Sequence, residues 1–157
     1  MNLGGLAPTT DEAKATLERA LADGRAAERF QHMITELGGP SDFLEKPERY
    51  LPTSKVQRPV FLSDAGFVAA IDTRALGLAI IQLGGGRTRP DDRIDYSVGL
   101  SEVLSLGDEV DGEKPFAEVH AATEDDAERA IQQIKAAVRV TDAPSPTATP
   151  LILESIV

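Results

Sequence analysis

The sequence predicts an α+β fold: leading helices, then a mixed α/β unit from about residue 53 onward. Apolar residues recur at helical spacing through residues 9–37 and again through 123–140. Between them, short apolar runs bounded by Gly, Pro and Asp read as strands. A proline-broken stretch, SDFLEKPERYLPTS at 41–54, separates the two textures. At 157 residues the chain is long enough for one domain with a sizeable core and marginal for two. Hydrophobic residues make up 41% of it but aromatics only 4%, and Trp is absent, so the core must rest on Leu, Ile, Val and Ala.

The first predicted helix is TTDEAKATLERALA. Thr9 and Glu12 have capping-box spacing, acids occupy the first turn, Ala13, Leu17, Ala20 and Leu21 form the apolar face, and Gly24 stops it. A second helix runs from about Arg25 to Leu37, with Phe30, Met33, Ile34 and Leu37 on one face, and Gly38-Gly39-Pro40 ends it. Residues 41–54 then give a short helical turn and an extended connector. Two helices bury little alone, so they are expected to dock on the later unit, on a partner or on further sequence.

KVQRPVFL and GFVAAI flank Ser63-Asp64-Ala65-Gly66 and predict a hairpin, with Pro59 confining the first strand to an edge or a bulge. Asp72 caps a helix over TRALGLAIIQLGG with Leu76, Ala79, Ile80 and Leu83 inward. IDYSVGL and a run around Glu102 to Leu106 follow as strands. Gly107-Asp108 and Asp111-Gly112 bracket a very short strand, and KPFAEVHA is another. ATEDDAERAIQQIKAAVRV is an amphipathic helix, acidic at its start and with Lys135 and Arg139 near its end. DAPSPTATP is linker-like, and LILESIV is a further candidate strand.

Charge and composition exclude several classes. Lys and Arg total 16 against 26 Asp and Glu, a formal charge of −10. That balance disfavours nucleic acid and anionic membrane surfaces, both of which call for a basic face. Without Cys there are no disulfides, thiolate nucleophiles or sulfur-ligated metals. With no spanning apolar run and no secretory pattern in MNLGGLAPTTDEAK, a soluble cytoplasmic protein is expected.

LGGGRTRPDDRIDYSVG, at 83–99, suggests a phosphate cradle. Phosphate loops precede a helix, whereas Gly84, Gly85 and Gly86 follow one, where carbonyls and the negative dipole end face out. A C-terminal cap and tight turn is therefore expected, with Asp91, Asp92 and Asp95 as ion partners for Arg87, Arg89 and Arg93. His32 falls opposite the apolar helix face and should be solvated. His120 shares a strand face with Glu118 and Phe116, which permits a carboxylate–imidazole pair. No G-x-S-x-G elbow accompanies it, and two isolated histidines are too few for a typical zinc site. EDDAE reads as dipole matching at a helix start, and DEVDGE lacks the spaced ligands of a calcium loop. SLGDEVDGEKPFAEVHA resembles the strand-turn units of biotinyl and lipoyl carriers, but Lys114 lies between Glu113 and Pro115, outside the usual Met or Asp context.

ELGGPSDFLEKPERYLP, GFVAAIDTRALGLAIIQLGGGRTRPDDRIDYSVGL and LGDEVDGEKPFAEVHA together resemble the C-terminal part of the thymidine phosphorylase and pyrimidine-nucleoside phosphorylase family, in order from about residue 7 to 142. The resemblance implies an α/β-hammerhead unit over 53–157, and a helical segment over 1–52 that belongs to the large α/β domain of the parent enzyme. It also implies reversible phosphorolysis of thymidine or deoxyuridine, with inorganic phosphate as co-substrate and no cofactor. Its partners are then a pyrimidine nucleoside and phosphate, in a homodimer whose contacts lie mainly in a helical domain absent from this sequence. The family's phosphate loop and base-binding signature have no match here, so no catalytic, cofactor-binding or metal residue is carried over. The expectation is a C-terminal portion that supplies scaffold and is inactive alone, the alternative being a free-standing binding or carrier-like module.

Overall fold

A computed structural model describes residues 1–143, which fall into two compact units, one over Met1–Leu51 and one from Pro52 onward. The expected strand LILESIV lies outside the described residues.

In the first unit, α1 (Thr10–Ala22) is capped by Thr9, whose hydroxyl oxygen accepts from the Glu12 amide at 3.2 Å. The Glu12 carboxylate turns to the Thr9 hydroxyl (3.3 Å), so the capping-box spacing is right but the reciprocal bond goes to a side chain. Helix α2 (Arg25–Glu36) ends in a Schellman motif: the Gly39 amide reaches the Ile34 carbonyl at 2.8 Å and Gly38 reaches Thr35 at 3.0 Å. Gln31 pins the following loop, donating to the Pro40 carbonyl (2.8 Å) and accepting from the Leu44 amide (2.9 Å). A short helical turn at Pro47–Arg49 follows, as expected. Tyr50 donates to Asp42, which holds the Asp42 carboxyl below the usual carboxylate range and pushes the phenol up. Helix α2 buries none of its residues, and Leu17, Leu21, Phe30, Met33 and Leu37 are exposed.

The second unit holds six strands and two helices among its described residues. In chain order these are β1 (Val56–Val60), β2 (Gly66–Ile71), α3 (Thr73–Ile80), β3 (Gly99–Ser101), β4 (Glu109–Val110), β5 (Ala117–Ala121), α4 (Glu124–Ala137) and β6 (Val138–Thr141). The strands form two antiparallel three-stranded sheets, ordered β1-β5-β3 and β4-β2-β6. Val60, Val68, Val110, Phe116, Val119, Ala127 and Ile134 fill one core beneath both sheets and α4. The α+β class is as the sequence predicts.

Local signals at caps and turns hold. Asp72 accepts from the Ala75 amide (3.0 Å) at the start of α3, and Thr123 accepts from Asp126 (3.2 Å) at the start of α4, where three acids face the helix dipole. Pro59 sits on an edge strand, where its missing N–H costs no ladder bond.

Three expectations are corrected, each through strand partnership. KVQRPVFL and GFVAAI do not form a hairpin. Strand β1 pairs over its whole length with β5, from Val56–Ala121 to Val60–Ala117, while β2 crosses to the other sheet. A hairpin would leave the more buried β5 without its partner. The expected strand at Glu102–Leu106 is absent: β3 stops at Ser101, and Glu102 takes φ +52, which takes the chain out of the extended region. The last helix ends at Ala137 rather than Val140. Val138 is already extended and VRVT pairs with β2, so Arg139 is a strand residue. β-branched Val138 and Val140 suit that pleated position better than another helical turn.

Candidate functional site

The glycine run closes α3. After Ile80 the chain widens into one π-type turn over Ile81–Gly85, and Gly84 takes φ +99. A Cβ on Gly85 would stand 2.8 Å from Ile80 Cγ2, and one on Gly86 would stand 2.6 Å from Ile81 Cγ1. The run is thus a close-packed helix terminus, and the Gly84 carbonyl accepts from the Asp95 amide at 2.9 Å.

Residues 86–97 form a braced loop on that turn. Asp92 Oδ2 accepts from the Thr88 hydroxyl (2.7 Å) and from the Arg89 (2.8 Å) and Thr88 (3.0 Å) amides, which lowers its pKa in that order of causes. Asp95 accepts from the Ser97 hydroxyl (2.6 Å) and amide (2.9 Å) and is lowered likewise. The expected ion pairs are therefore corrected: Asp92 and Asp95 hold amides and hydroxyls, not guanidiniums. Arg87 donates to the Asp92 backbone carbonyl (3.2 Å). Among the described residues none of Arg87, Arg89 or Arg93 makes a salt bridge.

His120 projects from β5 on the outer face of its sheet. Its Nε2 lies 2.7 Å from Ser101 Oγ on β3, and its Nδ1 lies 3.4 Å from Ser54 Oγ, just ahead of β1. The expected carboxylate pair with Glu118 is not formed. Serine hydroxyls both donate and accept, so either imidazole tautomer is satisfied. The ring ties β3, β5 and the entry to β1 together. A hydrolytic triad would need a carboxylate on Nδ1, and a serine stands there. Sequence alternation put Glu118 on the right face but said nothing of Ser101 and Ser54, whose approach depends on strand register. Phe116, expected on the same face, is fully buried in the core. His32 is exposed, as expected, with Glu36 at 3.7 Å.

Lys114 follows a turn built on Asp111, whose carboxylate accepts from the Lys114 (2.8 Å) and Glu113 (2.9 Å) amides. The strands on either side, β4 and β5, belong to different sheets, so Lys114 is not at the tip of a paired hairpin as in the carrier analogy. Among the described residues no three or more His, Asp or Glu side chains gather to hold a metal ion, and no helix is long and apolar enough to cross a membrane. An open groove runs between α3 and α4, lined by Ala75, Leu78, Ala136 and the hydrogen-bonded Gln82–Gln133 pair. Asp92, Asp95, Asp111 and His120 thus each hydrogen-bond to backbone amides or hydroxyls of this same unit.

In a comparison with known families, residues 67–141 fit the family described as the pyrimidine nucleoside phosphorylase C-terminal domain. Its limits coincide with a structural pair, since Phe67 on β2 and Thr141 on β6 face each other in the sheet. Strand β1 lies outside the match, yet its Val60 is fully buried in the shared core.

Proposed function

Because this chain carries a pyrimidine nucleoside phosphorylase C-terminal domain at residues 67–141, we propose that it serves as the C-terminal portion of a thymidine phosphorylase. In that reaction an oxygen of inorganic phosphate bonds to C1′ of thymidine or deoxyuridine as the bond to the base breaks. The products are the free base and 2-deoxy-α-D-ribose 1-phosphate, and the step is reversible. The chain's part is scaffold: it presents the braced glycine turn and two sheets, and the groups that hold phosphate and base come from elsewhere in the enzyme.

The family match carries this reading. The hydrogen-bonding in the second unit supports the scaffold role, because Asp92, Asp95, Asp111 and His120 all hold backbone amides or hydroxyls of the same unit. The test is phosphorolysis by the purified chain, with thymine release followed in phosphate buffer and host enzyme excluded by a mock purification. No release is expected from the chain alone. Release on mixing with a separately produced N-terminal part of a family enzyme would support the assignment, and turnover by the chain alone would overturn the scaffold role.

A further inference from the structure

Ser101 Oγ lies 2.7 Å from His120 Nε2, and Ser54 Oγ stands 3.4 Å from Nδ1 on the other side of the ring. With the ring proton on Nδ1, facing Ser54, Nε2 carries a lone pair and Ser101 donates to it. That is the arrangement of a hydroxyl nucleophile and its base. Both residues are half-buried, so a small molecule can reach them. Three neighbours add to the pair. Directly opposite His120 on β3 is Gly99, where a Cβ would meet nothing within 4 Å, so the face is open beside the ring. The residue after Ser101 is Glu102, which at φ +52 is the one non-glycine residue with positive φ among the described residues. Backbone strain of that kind gathers at reactive sites, and in nucleophile elbows the amide after the attacking serine helps hold the oxyanion. Glu118 stands across the ladder from Ser101, and its carboxylate on that face disfavours an anionic reactant.

We propose that Ser101 is an acyl-accepting serine, with His120 as its base, that reacts with small, neutral, activated carboxylic esters. The Ser101 oxygen bonds to the ester carbonyl carbon as its proton passes to His120 Nε2. The bond from that carbon to the leaving oxygen then breaks, and the proton departs with the leaving group. The products are acyl-Ser101 and the free alcohol, and the imidazole is neutral again. Nδ1 meets a hydroxyl rather than a carboxylate, so the imidazolium has no anion beside it and removal of the acyl group by water is slow. The acyl-serine therefore accumulates as a modified residue instead of turning over. This activity stands apart from the phosphorolysis reading, because its readout is an adduct on Ser101 and not thymine release.

Treating the full chain with p-nitrophenyl acetate near neutral pH tests it, with acetylated hydroxyls located over time by digestion and mass spectrometry. Ser97 is the internal reference, since its hydroxyl bonds to Asp95 at 2.6 Å instead of to an imidazole. Ser101 should acetylate about a hundredfold faster than Ser97. His120→Gln should remove that advantage and leave the Ser97 rate unchanged, and Ser101→Ala should abolish the fast adduct. In denaturing urea the two serines of the parent chain should react alike, which ties the advantage to the fold without relying on any variant. Ser101 labelling no faster than Ser97, or as fast in urea or in a folded His120→Gln chain as in the native parent, would overturn the proposal.

Discussion

Replacing Gly84 and Gly85 singly by alanine separates two physical demands within one turn. Gly84 holds φ +99, yet a Cβ there has room, its nearest neighbour being Asp95 Cβ at 3.8 Å. The cost of Gly84→Ala is therefore conformational, about 1–2 kcal/mol for a left-handed alanine. At Gly85 the demand is space: a Cβ would stand 2.8 Å from Ile80 Cγ2 and 3.1 Å from the Ile80 carbonyl oxygen, with Val98 Cγ2 at 3.4 Å. Overpacking of that kind costs about 1–3 kcal/mol. With a urea slope of about 2 kcal/mol per molar, Gly84→Ala should lower the unfolding midpoint by roughly 0.5–1 M and Gly85→Ala by roughly 0.5–1.5 M. The assay is urea denaturation followed by circular dichroism, with and without inorganic phosphate. Phosphate should leave the difference between parent and variants unchanged, because a ligand stabilises only the state that binds it. Gly84→Ala with parental stability would refute the backbone requirement. A phosphate-dependent stabilisation of the parent that Gly84→Ala abolishes would refute the turn and revive the cradle.

Other expectations concern the core, a sheet end, a cap and acid sensitivity. Phe116→Ala empties a fully buried site and should cost about 3–5 kcal/mol in denaturant melts. Gly66→Ala would drive a Cβ into the Thr141 carbonyl; about 2–4 kcal/mol should be lost, and amide exchange in β6 should quicken. Thr123→Ala removes the α4 cap and should cost about 1 kcal/mol, read as a lower melting temperature. The ionised Asp92 is held by hydrogen bonds only in the folded chain, so its folded pKa lies below the unfolded value of 3.8. Its stabilisation is complete above that value and is lost as pH falls through the lower, folded pKa. Asp92→Asn should be less stable near neutrality and should flatten the acid limb of a stability–pH curve. An unchanged limb would count against the hydrogen-bond cause.

Much of this was legible because it is local. The Thr9, Asp72 and Thr123 caps, the Gly38-Gly39 stop and the short strand between two Gly-Asp turns depend on neighbours within a few residues. Partner choice is not local. The turn signal at Ser63–Gly66 is genuine, but whether β2 folds back on β1 depends on β5, more than forty residues further on. VRVT continues a helical periodicity by count, and only pairing with β2 makes it a strand. For His120, alternation identified the face, while the hydroxyls that engage the ring come from the strand beside it and from the connector before β1. The apolar stripe of α2 was legible too, though periodicity alone left open what covers it.

The pairing of Phe67 with Thr141 also sets an order of events in time. A ribosome releases β2 long before β6, and during that interval β2 has only the two-residue β4 available in its own sheet. Pairing across so long a stretch is slow to find, because chain entropy must be given up before the contact forms. The nascent unit therefore carries an open strand edge until Val138–Thr141 emerge directly behind α4. A chain stopped at Ala137 would retain every helix described here and still lack the strand that closes the second sheet.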